Sequence, residues 1–111
     1  MAVTAVDLVL PQGTDFEQNF TLFKDDGTRL PLVDYTITSK LRKHYAATGV
    51  TTFTTSILDQ LQGVIRISLD KDQTANLKPG RHYFDILVTS PSDVTTKVLE
   101  GMIIVEGTAS L

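Results

Sequence analysis

The chain has 111 residues, no cysteine, a formal net charge of −3 and a pI near 5.1. That length suits one domain able to stand on its own apolar core, and without cysteine neither a disulfide framework nor a thiolate zinc site is available. The acidic balance provides no general attraction to phosphate backbones or anionic surfaces, so neither nucleic acid nor membrane is an expected partner.

The start of the chain, Met1 to Asp7, lacks the basic region of a secretory signal, and no apolar run approaches the roughly 20 residues of a membrane helix. No repeat, linker or low-complexity stretch divides the sequence, so residues 1–111 are expected to form one domain. Sixteen threonines, ten valines and seven isoleucines make it rich in β-branched residues, which suit a pleated surface better than a helix.

Alternation with period 2 then places the strands. Val3 to Leu10 sets Val6, Leu8 and Leu10 on one face and Asp7 on the other, and Pro11-Gln12-Gly13 ends it. Asp15 to Phe23 sets Phe16, Phe20 and Leu22 against Glu17, Asn19 and Thr21. Lys24-Asp25-Asp26-Gly27-Thr28 is a tight turn, because Asp-Gly tolerates the positive φ such loops demand. Leu30-Pro31-Leu32 reads as edge or irregular structure, since Pro lacks an amide donor.

Tyr35 to His44 carries Tyr35, Ile37 and Leu41 inward and Lys40 and Arg42 outward, with Ser39 interrupting the apolar face. Val50 to Leu58 is a weaker strand around Phe53 and Ile57, and Gly63 to Leu69 a clear one through Ile65, Ile67 and Leu69. Asp70-Lys71-Asp72-Gln73 has the form of a capping box that opens a short helical turn through Ala75 and Leu77. Pro79-Gly80 stops it. Arg81 to Ser90, the turn Pro91-Ser92-Asp93 and Val94 to Glu106 make the longest antiparallel pair.

About seven strands with turns between them predict an all-β fold, an immunoglobulin-like antiparallel β-sandwich with one short helical turn near 71–77. Its expected core is Phe16, Phe20, Leu22, Ile37, Leu41, Ile65, Ile67, Leu69, Leu77, Phe84, Ile86, Leu99 and Ile103. Leu77 to Tyr83 reads as a sandwich corner in which the Tyr83 hydroxyl ties back to the Pro79-Gly80 turn. Asp85 shares the Tyr83 face, whereas Phe84, Ile86 and Val88 form the more apolar register. Either the corner is only similar to the immunoglobulin one, or both faces of this strand are covered.

No catalytic or metal constellation stands out. Asp25, Asp26, Asp70 and Asp72 suit a solvated turn and a helix cap better than calcium, which wants six to eight converging oxygens. His44 and His82 are the sole histidines and lack a second ligand at metal spacing. Asp85 with Arg81, His82 and Tyr83 is the best cluster for a perturbed carboxylate, and an ion pair or turn contact accounts for it. Three glutamates, Glu17, Glu100 and Glu106, leave little room for a glycosidase pair. The chain is therefore expected to be no enzyme and to need no cofactor or metal.

Two charged stretches are candidate interaction surfaces: a basic one of Lys40, Arg42, Lys43 and His44, and an acidic one of Asp7, Asp15 and Glu17. Their plain reading is charge guarding exposed strands against aggregation. The sharper reading is complementary rims that orient neighbouring copies or a partner.

Pro11-Gln12-Gly13-Thr14-Asp15-Phe16, Asp26-Gly27-Thr28-Arg29-Leu30-Pro31-Leu32 followed by Tyr35, Ser39-Lys40-Leu41-Arg42, Leu77-Lys78-Pro79-Gly80-Arg81 with Tyr83 and Asp85, and Leu99-Glu100-Gly101 occur in an order that resembles small tailed-bacteriophage virion structural proteins. The chain is also similar to the amino-terminal domain of phage baseplate upper proteins and, at the corner, to fibronectin type III modules. The likeness runs from about Asp7 to Val105. It implies an immunoglobulin-like building block of the virion, in the tail, baseplate, neck or head decoration, assembled in the bacterial host cytoplasm. Other virion proteins and further copies of itself would be its partners, with residues 1–5 and 107–111 as tethers that order on assembly. The alternative is a carbohydrate-binding module for host attachment, which the absence of tryptophan disfavours.

Overall fold

A computed structural model of the chain describes residues 4–43 and 49–110. Eight strands and one short helix follow in the order β1 (Thr4–Pro11), β2 (Phe16–Thr21), β3 (Thr36–Arg42), β4 (Thr51–Thr52), β5 (Thr54–Asp59), β6 (Val64–Leu69), α1 (Lys71–Ala75), β7 (Gly80–Thr89) and β8 (Thr95–Glu106). They form a five-stranded sheet, β1-β8-β7-β3-β4, packed on a three-stranded sheet, β2-β6-β5. This partition is that of an immunoglobulin-type sandwich. One pairing departs from the antiparallel expectation: β1 runs parallel to β8, with Val6 opposite Gly101.

The predicted alternation is present in the burial of β6 and β7, and it breaks in β8, where the consecutive Val98 and Leu99 are both buried beside a shift of register. In β6, Ile65, Ile67 and Leu69 are buried, and in β7 so are His82, Phe84, Ile86 and Val88. Each fully buried aliphatic or aromatic side chain contributes about 1.5–3 kcal/mol from area removed from water. The rings of Phe16 and Phe84 both meet Phe53, with centroids 6.1 and 6.2 Å away. Phe20 and Ile37, expected in the core, are partly buried at its margin.

The single strand expected from Val50 to Leu58 is two strands in different sheets. The chain changes sheets at Phe53, whose side chain is buried and whose amide donates to the Ser39 carbonyl at 2.9 Å. Alternation continues through such a crossing and gives no sign of it. Leu30 and Leu32, in the segment expected to be edge or irregular, lie outside any strand yet are core residues. Their amides donate to the carbonyls of Leu22 and Gln60 at 2.9 and 2.7 Å, which replaces the strand ladder that Pro31 denies them. Gly63 sits beneath this segment at φ +70°, and a Cβ there would lie 2.9 Å from the Leu22 oxygen.

One end of the sandwich is knitted together by the Pro11–Phe16 turn. Gln12 donates its side-chain amide to the Leu77 carbonyl at 2.9 Å and its backbone amide to Glu106 at 2.8 Å, while its own carbonyl accepts from the Thr108 hydroxyl at 2.6 Å. The buried Thr74 hydroxyl of α1 reaches the Thr14 carbonyl at 2.7 Å. The capping box is formed as predicted: Asp70 accepts from the Gln73 amide at 2.8 Å, and the Gln73 side chain accepts from the Asp70 amide at 3.0 Å. Thr4 and Ala5 belong to β1, and Thr108 is bound to Gln12, so these parts of the expected tethers are held by the domain itself.

Candidate functional site

Strand β7 decides where the candidate residues point. Because successive side chains alternate, His82, Phe84, Ile86 and Val88 enter the core, and Arg81, Tyr83, Asp85 and Leu87 face outward. The expected corner is thereby corrected. It is the buried imidazole of His82 that ties β7 to the preceding turn, donating through Nε2 to the Lys78 carbonyl at 2.7 Å, while Tyr83 projects from the opposite face. The Arg81-His82-Tyr83-Asp85 cluster is split in the same way, since His82 and Asp85 lie on opposite sides of one sheet.

Outward residues of neighbouring strands complete a continuous face on the five-stranded sheet. Tyr83 lies between Met102 of β8 and Arg42 of β3, and Met102 lies beside Asp7 of β1. A row Asp7-Met102-Tyr83-Arg42 thus crosses four strands. In the next row Asp85 lies between Glu100 and Lys40, and Lys97 reaches the Glu100 carboxylate at 3.3 Å. On the other side Ile104 lies between Val9 and Arg81. A shallow depression of about 400 Å³ on this face is lined by Thr38, Lys40, Arg42, Tyr83, Asp85 and Leu87.

Asp85 and Glu100 are cross-strand neighbours with a lysine on either flank. Ser39 is inward and donates its hydroxyl to the Asp85 carbonyl at 2.7 Å, so the residue that breaks the apolar face of β3 is a buried, satisfied one.

The two charged stretches are redistributed. Lys40 and Arg42 share the outer face with Asp7. Lys43 follows β3, exposed, near Gly80. His44 lies outside the described residues. Asp15 serves the fold, because its carboxylate accepts from the Lys71 amide at the start of α1 at 2.9 Å. Glu17 is on the outer face of the other sheet, 3.9 Å from Arg66, which donates to Asn19 at 3.0 Å. Among the described residues no three His, Cys, Asp or Glu side chains are placed to hold a metal ion.

Sequence reasoning missed Met102, Ile104 and Val9 as outer-face residues. The signal was the unbroken apolar run Met102-Ile103-Ile104-Val105, which alternation cannot place on one side only.

Two solved structures are matched along nearly the whole chain at low identity. An internalin-like protein of Listeria monocytogenes matches 96% of this chain at 15% identity and a TM-score of 0.47. A family 123 glycoside hydrolase from Clostridium perfringens matches 97% at 13% identity and a TM-score of 0.43. This chain spans only 28% and 24% of their respective lengths. No curated protein matches. The family model described as "LtfC-like, beta-sandwich domain" matches residues 3–107, nearly the whole chain and all eight strands. The chain belongs to the LtfC-like β-sandwich domain family.

Proposed function

We propose that this protein is a non-enzymatic structural subunit of a tailed-bacteriophage particle, built into the tail and acting through protein–protein contacts. The observation that carries the reading is membership, over residues 3–107, of the LtfC-like β-sandwich domain family, which we read together with the resemblance of the chain's motifs to tailed-phage virion proteins. The order of side chains supports it. The chain places Asp7, Lys40, Arg42, Tyr83, Asp85 and Glu100 on the outer face of the five-stranded sheet, where they are suited to meeting another surface. The histidine of the most reactive-looking cluster is committed to holding a turn. Its partners are other virion proteins and repeated copies of itself.

Mass spectrometry of purified particles, together with deletion of the gene, tests this reading. The chain should be found in intact virions at a fixed ratio to the other tail proteins, and its deletion should give particles with defective or missing tails. Absence from particles, with normal tails in the deletion, would overturn it.

A further inference from the structure

We infer that the free edge of β1 is a pairing edge whose occupant is β1 of a second copy of this chain, added antiparallel so that the two five-stranded sheets become one. β1 ends its sheet, bound on one side to β8, and among the described residues no strand pairs with its other side. The Gln12 amide continues the parallel ladder by donating to the Glu106 carbonyl at 2.8 Å, and in such a ladder alternate residues turn both backbone groups to the same neighbour. Leu8 and Leu10 therefore serve β8, while Ala5, Asp7 and Val9 turn their amides and carbonyls outward. These are the groups that a further strand binds.

The other edges of the sandwich are guarded and this one is not. β4 is two residues long, β5 has a shift of register and is tied to the Ile37 carbonyl by the Thr55 hydroxyl at 3.1 Å, and β2 carries Glu17 beside Arg66. β1 keeps an unbroken register over eight residues, has no basic side chain and meets a proline only at Pro11. Shortness, charge, bulges and proline are the devices that keep an edge from pairing. The inward Val6 and Leu8 are also only partly buried, and the outward Val9 is 57% exposed, so pairing here covers apolar surface as well as backbone.

The strand's own symmetry selects the occupant. Val6, Leu8 and Leu10 face inward, evenly placed about Leu8, with Asp7 and Val9 outward between them. A two-fold axis at Leu8, perpendicular to the sheet, sets Leu8 against Leu8 of the second copy, Val6 against Leu10 and Asp7 against Val9, so that inward meets inward and about six backbone bonds form. Such a contact is isologous and closes on itself. Other registers are worse. A slip of one residue sets Leu8 against Asp7, on the wrong face; an axis at Asp7 opposes two carboxylates directly; an axis at Val9 sets Asp7 against Pro11, which has no amide to give. With the axis at Leu8 the two Asp7 side chains are diagonal neighbours, roughly 7–8 Å apart in water. Glu100 and Glu106, which stand beside Ala5 and Pro11 in β8, approach the second copy's glutamates no closer than three strand spacings, about 14 Å.

An edge about 26 Å long, backed by two layers roughly 10 Å apart, presents on the order of 500 Å² per copy, which in a pair reaches the roughly 1,000 Å² at which specific contacts begin. The contact is therefore expected to be reversible in solution. It rests on the structural reading above, as a contact between repeated copies, and the two fail separately: a monomeric chain found in virions overturns the pairing alone, and a dimer absent from virions overturns the structural reading alone.

Sedimentation velocity of the full chain across the micromolar range, with thermal melts as a folding control, tests the inference. The wild type should show a monomer–dimer equilibrium. Val9→Pro removes an outward amide and leaves the ladder to β8 whole, so it should weaken the dimer at least about tenfold with the melt little changed. Because the chain has no cysteine, single thiols report the register. Leu8→Cys brings two thiols together on strands whose Cα atoms are about 4.5 Å apart, within disulfide reach, and should cross-link on mild oxidation; Ala5→Cys lies opposite Pro11 and should not. A dimer indifferent to Val9→Pro, or Leu8→Cys cross-linking no faster than Ala5→Cys, would overturn the inference. So would a wild type monomeric throughout, which would leave the edge to a strand of another protein.

Discussion

The imidazole of His82 and the carbonyl of Lys78 are joined across the turn that launches β7, 2.7 Å apart and inside the protein. A carbonyl only accepts, so Nε2 carries the hydrogen, and the bond pairs the buried imidazole with a backbone oxygen at a part-buried position. His82→Phe keeps most of the volume and removes the donor. Chemical denaturation should show a loss of about 1–3 kcal/mol, with secondary structure retained. An unchanged midpoint would mean that water reaches the Lys78 carbonyl.

Gln12 is the hub of a second linkage at the same end, binding Leu77 through its side chain and Glu106 and Thr108 through its backbone. The side-chain bond is the one a mutation can remove. Gln12→Ala should lower stability by about 1 kcal/mol and speed amide exchange in α1 more than in β6, since the helix end depends on Gln12 and β6 does not. Equal acceleration in both would show that the turn is not a local clamp.

Gly101 occupies the one position of β8 where β1 comes too close for a side chain. A Cβ built there would overlap the Val6 carbonyl oxygen and lie 3.2 Å from the Phe84 ring. Gly101→Ala must push the parallel strand β1 away from its partner, and overpacking of this kind costs about 1–3 kcal/mol or more. The melting temperature should fall by several degrees, with the largest chemical-shift changes at Val6 and Leu8. A melt equal to the wild type would mean that β1 is loosely held.

The Lys24–Thr28 turn carries a pH signature. Asp26 accepts from the Thr28 hydroxyl at 2.6 Å and the Thr28 amide at 2.9 Å, and these bonds hold its carboxyl below the usual aspartate value. A depressed folded-state value means that the bonds contribute above the unfolded value and are lost as pH falls through the lowered one. Thr28→Val should therefore raise the Asp26 titration midpoint, read by carbon-13 NMR, toward the ordinary value. No movement would show that the hydroxyl bond is not its main cause.

Much of this fold was legible because its signals are local. Strand β6, the β7–β8 pair and the capping box at Asp70 each depend on residues a few positions apart, and each forms as its spacing predicted. The errors occur where distant parts of the chain meet. Val50 to Leu58 alternates without a break, and only the Phe53–Ser39 bond and the buried Phe53 ring reveal that the two halves belong to different sheets. The Pro-Gly-x-x-Tyr pattern suggested a tyrosine corner, but the registers of β7 against β3 and β8 turn Tyr83 outward and give the turn to its neighbour.

By itself, then, the sequence determined that this protein is a two-layered sandwich, which residues could form its core, and that its charges sit on strands. A period of two separates the sides of every strand from nearest-neighbour order alone. Tertiary structure alone decided which strands adjoin, that β1 lies parallel to β8, and that Asp7 and Arg42 end up in one row while Asp15 and Glu17 go elsewhere. Those choices depend on pairings between segments far apart in the chain, and alternation is the same whichever partner a strand takes.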